Sequence, residues 1–151
     1  MEPNIHLNYL AIIIAVVANF ILGFIWYTPL FGKIWARELG VKLEEGQKPP
    51  AGALIKGMVM NLIGNFFLAF VFYHNIAVWN PITWAQPADG GAAWQYALTA
   101  SGFTWLGFYL PVDLNTVAWE GKSWKFFFIN TSYHLLSLIL VAMILTHMMW
   151  A

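Results

Sequence analysis

The chain reads as an all-α polytopic membrane protein with four transmembrane helices, and three observations predict that class. Apolar runs of about 20 residues recur near 7–28, 54–74, 94–112 and 123–149. At ~1.5 Å per residue each can cross ~30 Å of hydrocarbon. Charge is sparse, 9% of 151 residues, where a soluble domain carries about 25%. All seven lysines and arginines lie between the first two runs or at the flanks of the second and fourth. By the positive-inside rule those connections face the cytoplasm and both termini lie outside it. Residues 1–151 are read as a single four-helix transmembrane domain.

The first run, Leu7 to Tyr27, carries no charge and ends in Trp26, Tyr27 and Pro29, followed by the cations Lys33 and Arg37. Aromatic rings favour the hydrocarbon boundary, and proline disfavours helix before itself, so the span is expected to stop there. The region ahead of it, MEPNIH, lacks lysine and arginine, and the run exceeds the ~7–15 residues of a signal core, so it is read as a retained helix. Ala11, Ala15, Asn19 and Gly23 recur every fourth residue. One face of small side chains results, which lets another helix come close.

A polar linker, about 30–52, follows, with Lys33, Arg37, Lys42 and Lys48, the acids Glu38, Glu44 and Glu45, and the breaker Pro49-Pro50. Leu39-Gly40 marks the end of a short interfacial helix whose apolar side is Phe31, Ile34 and Trp35. The second run repeats the small or polar face with Gly57, Asn61, Asn65 and Ala69. Two amides one turn apart in hydrocarbon must face protein or water. The loop from Asn80 to Ala93 hugs the interface through Trp79, Trp84 and Trp94, with Asp89 its only charge.

The third run is expected to end at Pro111, which places Asp113 at the membrane edge with Lys56, Lys122 or Lys125 as its ion-pair partner. The fourth carries the most polar patch of any span: Asn130, Thr131, Ser132, Tyr133, His134 and Ser137. His147 belongs at the far interface.

A tandem two-helix repeat is visible in outline. Trp26-Tyr27-Thr28-Pro29 matches Phe108-Tyr109-Leu110-Pro111, and Lys56, Asn61, Asn65 match Lys125, Asn130, His134 in spacing. Two such units would be related by an axis along the membrane normal.

Seven acids balance seven bases, so no basic excess points to nucleic acid, and the absence of cysteine excludes disulfides, thiolate metal sites and cysteine nucleophiles. Nor does the sequence hold paired carboxylates at membrane depth, a His-rich metal set or a serine with a base and an acid. We expect no catalytic motif, no metal and no cofactor. The partners expected are the lipid bilayer and either a second copy or another membrane protein.

The segments NYLAIIIAVVANFILGFIWYTPLFGKIW, TWLGFYLP and EGKSWKFFFINTSYHLLSLILVAMIL together resemble a domain-of-unknown-function family of small bacterial four-helix membrane proteins. In that family a Trp-Tyr-x-Pro-Leu-Phe-Gly-like motif follows the first span, and the last span has an Asn near its start and a Tyr-His pair, as in Asn130, Tyr133 and His134. The resemblance covers nearly the whole chain, the middle loop least. It implies a location in the bacterial inner membrane and carries no activity with it.

Two functions compete on the residues. The first is a non-catalytic membrane protein that acts by association, as a homo-oligomer or a subunit of a larger complex. The second is a small transporter or ligand-binding protein in which Asn19, Asn61, Asn65, Asn130 and His134 line a polar pocket. Asparagine and histidine also serve as interhelical glue, worth roughly 0.6 kcal/mol per contact. Glue is spent on its neighbours, whereas a site keeps donors and acceptors free toward a cavity.

Overall fold

The computed structural model describes residues 4–40, 51–87 and 90–149. Lys42, Glu44, Glu45, Lys48, Pro49-Pro50 and Asp89 lie outside the described residues. The described chain is helical, with no β-strand. Three of its helical segments are long and apolar enough to cross a membrane: Tyr9–Leu30, Ala51–Val78 and Trp124–Met149.

Helix α1, Tyr9–Ile25, starts where Asn8 caps it: the Asn8 Oδ1 accepts from the Ala11 N–H at 3.1 Å. The same amide donates to the Met148 carbonyl, and the Asn8 N–H donates to Tyr73 Oη, which itself donates to the His6 carbonyl. One end of three helices is thus tied by a single asparagine and a single tyrosine. At its other end α1 widens into a π turn, Trp26–Leu30, closed by the Phe31 N–H on the Trp26 carbonyl. A five-residue step tolerates Pro29, which has no N–H to offer. Phe31 (φ −118°, ψ 0°) then breaks the rod, and α2, Gly32–Glu38, restarts it. Gly32 is required there, because a Cβ would lie 2.6 Å from the Tyr27 carbonyl oxygen. Gly40 (φ 75°) ends α2 in the left-handed conformation that glycine adopts freely. The short helix read from Leu39-Gly40 is therefore present.

Helix α3, Ala51–Val78, is followed by a 3₁₀ turn, Pro81–Trp84, capped by Asn80. Helix α4, Ala93–Thr104, passes through a second π turn, Trp105–Tyr109, into α5, Leu110–Ala118. The backbone stays right-handed helical at Trp105, Tyr109 and Leu110, so these segments form one rod. The expectation that Pro111 ends this run is corrected. The Leu110 N–H reaches back five residues to the Trp105 carbonyl, and Pro111 then falls in the first turn of a new α segment, where its missing N–H costs nothing. Helix α6, Trp124–Met149, closes the chain. Ser123 caps it and also donates to Glu38, joining the end of α2 to the start of α6.

Helices α1 and α6 form the central pair. Helix α3 packs on α1 and less on α6, α4 packs on α6, and α3 barely meets α4. The core is where small residues let backbones approach: Ala11, Ile12 and Ala15 of α1, Ala69, Phe72 and Ile76 of α3, Ala97 of α4, and Leu138, Val141, Ala142 and Leu145 of α6. Ala15 and Asn19 precede Pro29 by the same spacing as Ala97 and Ser101 precede Pro111, and all four are buried.

Candidate polar site between the helices

The five asparagine and histidine positions picked out by the sequence fall into three separate sets. Asn19 on α1 donates from Nδ2 to Asn65 Oδ1 at 2.7 Å, and Asn65 donates in turn to Asn61 Oδ1 at 2.8 Å. This amide relay runs from the core outward: Asn19 and Asn65 are buried, Asn61 is exposed. Asn19 Oδ1 is buried with no partner among the described residues. Asn130 on α6 is elsewhere, accepting from Tyr27 Oη at 2.9 Å. His134, one turn further on, meets Asp113 of α5, with Nδ1 and Oδ2 at 2.8 Å. An ionised carboxylate only accepts, so the Nδ1 proton points at Asp113. Among the described residues no hydrogen bond joins one set to another.

The ion-pair expectation for Asp113 is thereby corrected: Asp113 does not pair with Lys56, Lys122 or Lys125. It is 5% exposed, and its partner is His134. Lys122 instead lies over the Phe126 ring at 5.5 Å. The reason is the continuation of the rod past Pro111, which brings Asp113 within the helix and opposite α6.

Aromatic rings link the Asn130 and His134 sets, with Tyr133 lying 5.8 Å from the His134 ring. Tyr109 sits 4.8 Å from the His134 ring, Tyr133 is 4.9 Å from Tyr27, and Trp35 meets Tyr27 edge-on at 5.2 Å. The two π turns serve the same end. Each begins with a tryptophan whose Nε1 donates to an α6 carbonyl at 3.0 Å: Trp26 to Ile129 and Trp105 to Thr131. A π turn widens the helix and re-aims its side chains, and here it turns an indole onto the neighbouring rod. Sequence reasoning placed Trp26 at the boundary and assigned neither it nor Trp105 a partner, because a π turn has no reliable sequence signature.

These indole bonds are testable. Trp105→Phe removes two of them at once, since Trp105 Nε1 also lies 3.1 Å from Thr131 Oγ1. Melting in detergent should show a loss of about 1 kcal/mol, whereas Trp119→Phe, at an exposed position, should change nothing. Equal effects would mean that the indole bonds do not hold α4 to α6.

Chemically, the arrangement can hold helices in register. Asn65, the Tyr27 phenol and the Asp113 carboxylate are bonded to other side chains of the same chain, whereas Asn19 Oδ1 and the Nδ2 groups of Asn61 and Asn130 make no hydrogen bond among the described residues. No group of three or more His, Cys, Asp or Glu side chains fit to hold a metal occurs among the described residues.

Comparison with known proteins agrees with the motifs. Among curated proteins and among solved structures, none matches the chain. Residues 10–146 match a family described as proteins of unknown function, DUF1761. That stretch takes in the Trp-Tyr-Thr-Pro-Leu-Phe-Gly motif with its π turn, both tryptophan anchors and the His134–Asp113 pair, and the chain belongs to the DUF1761 family.

Proposed function

We propose that this protein is a four-crossing protein of the bacterial inner membrane that works without catalysis, by association with a second copy of itself. One observation carries the reading: every residue of α3 from Ala51 to Gly64 is exposed. The contact with α1 ends at the Asn19–Asn65 bond, and beyond it α3 leaves the bundle. On this free half Gly57 and Gly64 have open space around them, with nothing within 4 Å of a built Cβ. Asn61 lies between them with its amide N–H groups outward. In lipid an outward amide lacks partners, and an amide donates and accepts, so the same amide of a second copy completes it.

The fourth crossing is the rod Ala93–Ala118, whose rise of about 39 Å is enough for a bilayer. The equivalent burial of Ala15 with Ala97 and of Asn19 with Ser101 supports the two-unit repeat. The Asn and His sets fit glue, because Asn19 with Asn65, Asn130 with Tyr27 and His134 with Asp113 are bonded between helical rods.

The chain has no cysteine of its own, so introduced ones report cleanly. Gly57→Cys and Gly64→Cys should form disulfide-linked dimers in membranes, and Val59→Cys, on the far side of α3, should not. A monomeric mass in native detergent together with no cross-link at 57 or 64 overturns association. Orientation is read separately: cysteines at Glu44 and Glu120 should resist an impermeant thiol reagent in intact cells, and one at Asp89 should react. Labelling at 44 reverses the topology.

A further inference from the structure

The open edge of the bundle, between α3 and α4, holds a cleft of about 710 Å³. That is the size of a small-molecule site, for which ~300–1,000 Å³ is usual. Its walls are mainly apolar, and they contain several polar groups without hydrogen-bond partners among the described residues. The Asn75 amide and the Thr99 and Thr104 hydroxyls make no hydrogen bond among the described residues, and Gln95 uses only its Oε1, on the Ala92 N–H. The contrast with Ser101 is direct. That hydroxyl, on the α6 side of α4, donates to the Ala97 carbonyl at 2.7 Å. A threonine in hydrocarbon ordinarily satisfies itself in the same way. Thr99 and Thr104 do not.

We infer that this cleft binds a neutral amphiphile of the membrane, a lipid with one hydrocarbon chain in the groove and an uncharged hydrogen-bonding head against Asn75, Gln95 and Thr99. The head is uncharged because no ammonium, guanidinium, imidazole or carboxylate lines the cleft among the described residues. The chain follows from shape. Helix α4 and its π turn line the cleft from Gln95 to Phe108, a rise of about 20 Å, whereas the end of α3 lines it only over Asn75, Ile76 and the adjoining Trp79. An acyl chain needs only one wall and a few rings to lie against. Phe103 and Phe108 supply those rings, both more than two-thirds exposed. The inference rests on the membrane reading and is independent of the α3 dimer.

The test uses the full chain in nanodiscs of phosphatidylethanolamine and phosphatidylglycerol, doped with a monoacylglycerol bearing a diazirine in its tail. Photolabelling should concentrate on residues 95–108 and 75–79 above the level on the exposed Phe67 face. Ala100→Trp fills the cleft and should abolish that excess. Thr99→Val with Asn75→Leu leaves the volume but removes head contacts, and should lower labelling about fivefold, the effect of one lost hydrogen bond of ~1 kcal/mol. It also keeps the test decisive if the tryptophan variant does not fold. Even labelling over all lipid-facing helices, or labelling indifferent to both variants, overturns the inference. So does equal labelling by a diazirine-tailed phosphatidic acid, which would mean no selection for a neutral head. Cross-linked dimers through position 103 in place of lipid adducts would assign the cleft to a second copy. Failure of the chain to enter nanodiscs would instead refute the membrane reading, a separate outcome.

Discussion

Replacing His134 with alanine should destabilise the protein by about 3 kcal/mol or more, because it strands the Asp113 carboxylate inside the helix bundle. Asp113 is 5% exposed and its side-chain partner is the His134 imidazole at 2.8 Å. Breaking such a pair from one side leaves a charge without water and without a partner, which costs more than the pair contributes net. Asp113→Asn combined with His134→Gln removes the charge and keeps two hydrogen-bonding groups, so most of the loss should return. The measurement is a double-mutant cycle on melting in detergent. Additive losses in the double variant would mean that the two side chains act separately and that the pair does not hold α5 to α6.

Overpacking the α1 seam should be nearly as damaging. Ala15 is fully buried in the core, and an added isobutyl group has no space to enter without moving α3 or α6. At Gly23 a Cβ alone would meet Tyr133 Oη at 2.9 Å. Ala15→Leu and Gly23→Leu should each cost about 1–3 kcal/mol. Gly23→Leu should also disturb Tyr27, whose ring meets Tyr133 edge-on and whose hydroxyl donates to Asn130. Ile13→Leu, on the lipid-facing side with 57% exposure, should be silent. Similar losses at all three positions would show that the small-residue face is not where α1 meets its neighbours.

Part of the candidate site was legible in advance. Asn19, Asn61 and Asn65 were selected because amides in hydrocarbon need partners, and they do join one another, across 46 residues in one case and one helical turn in the other. The small face of α1 was legible too, since a four-residue period of alanine, asparagine and glycine has one physical use in lipid. What stayed hidden was partner choice. Asp113 and His134 are only 21 residues apart in sequence, yet the usual rule that proline ends a helix placed the acid outside the bundle. Two π turns defeat that rule, and a π turn has no reliable sequence signature because it depends on what the widened turn can reach. Here both reach α6, through Trp26 and Trp105.

The sequence by itself determined the helical class, the apolar runs long enough to cross a membrane and the polar side chains that needed partners. Those follow from composition, length and periodicity, which act within one helix. Only the tertiary structure decided which helices touch, that α6 and α1 form the centre, that Asn130 meets Tyr27 rather than His134 meeting Asn65, and that α3 and α4 stand apart around a cleft. A helix's period states which face is small or polar. The rotation and tilt that bring one face to another depend on the fit of all the faces together, as when Ala15, Ala97 and Ala142 each let a neighbouring backbone close in.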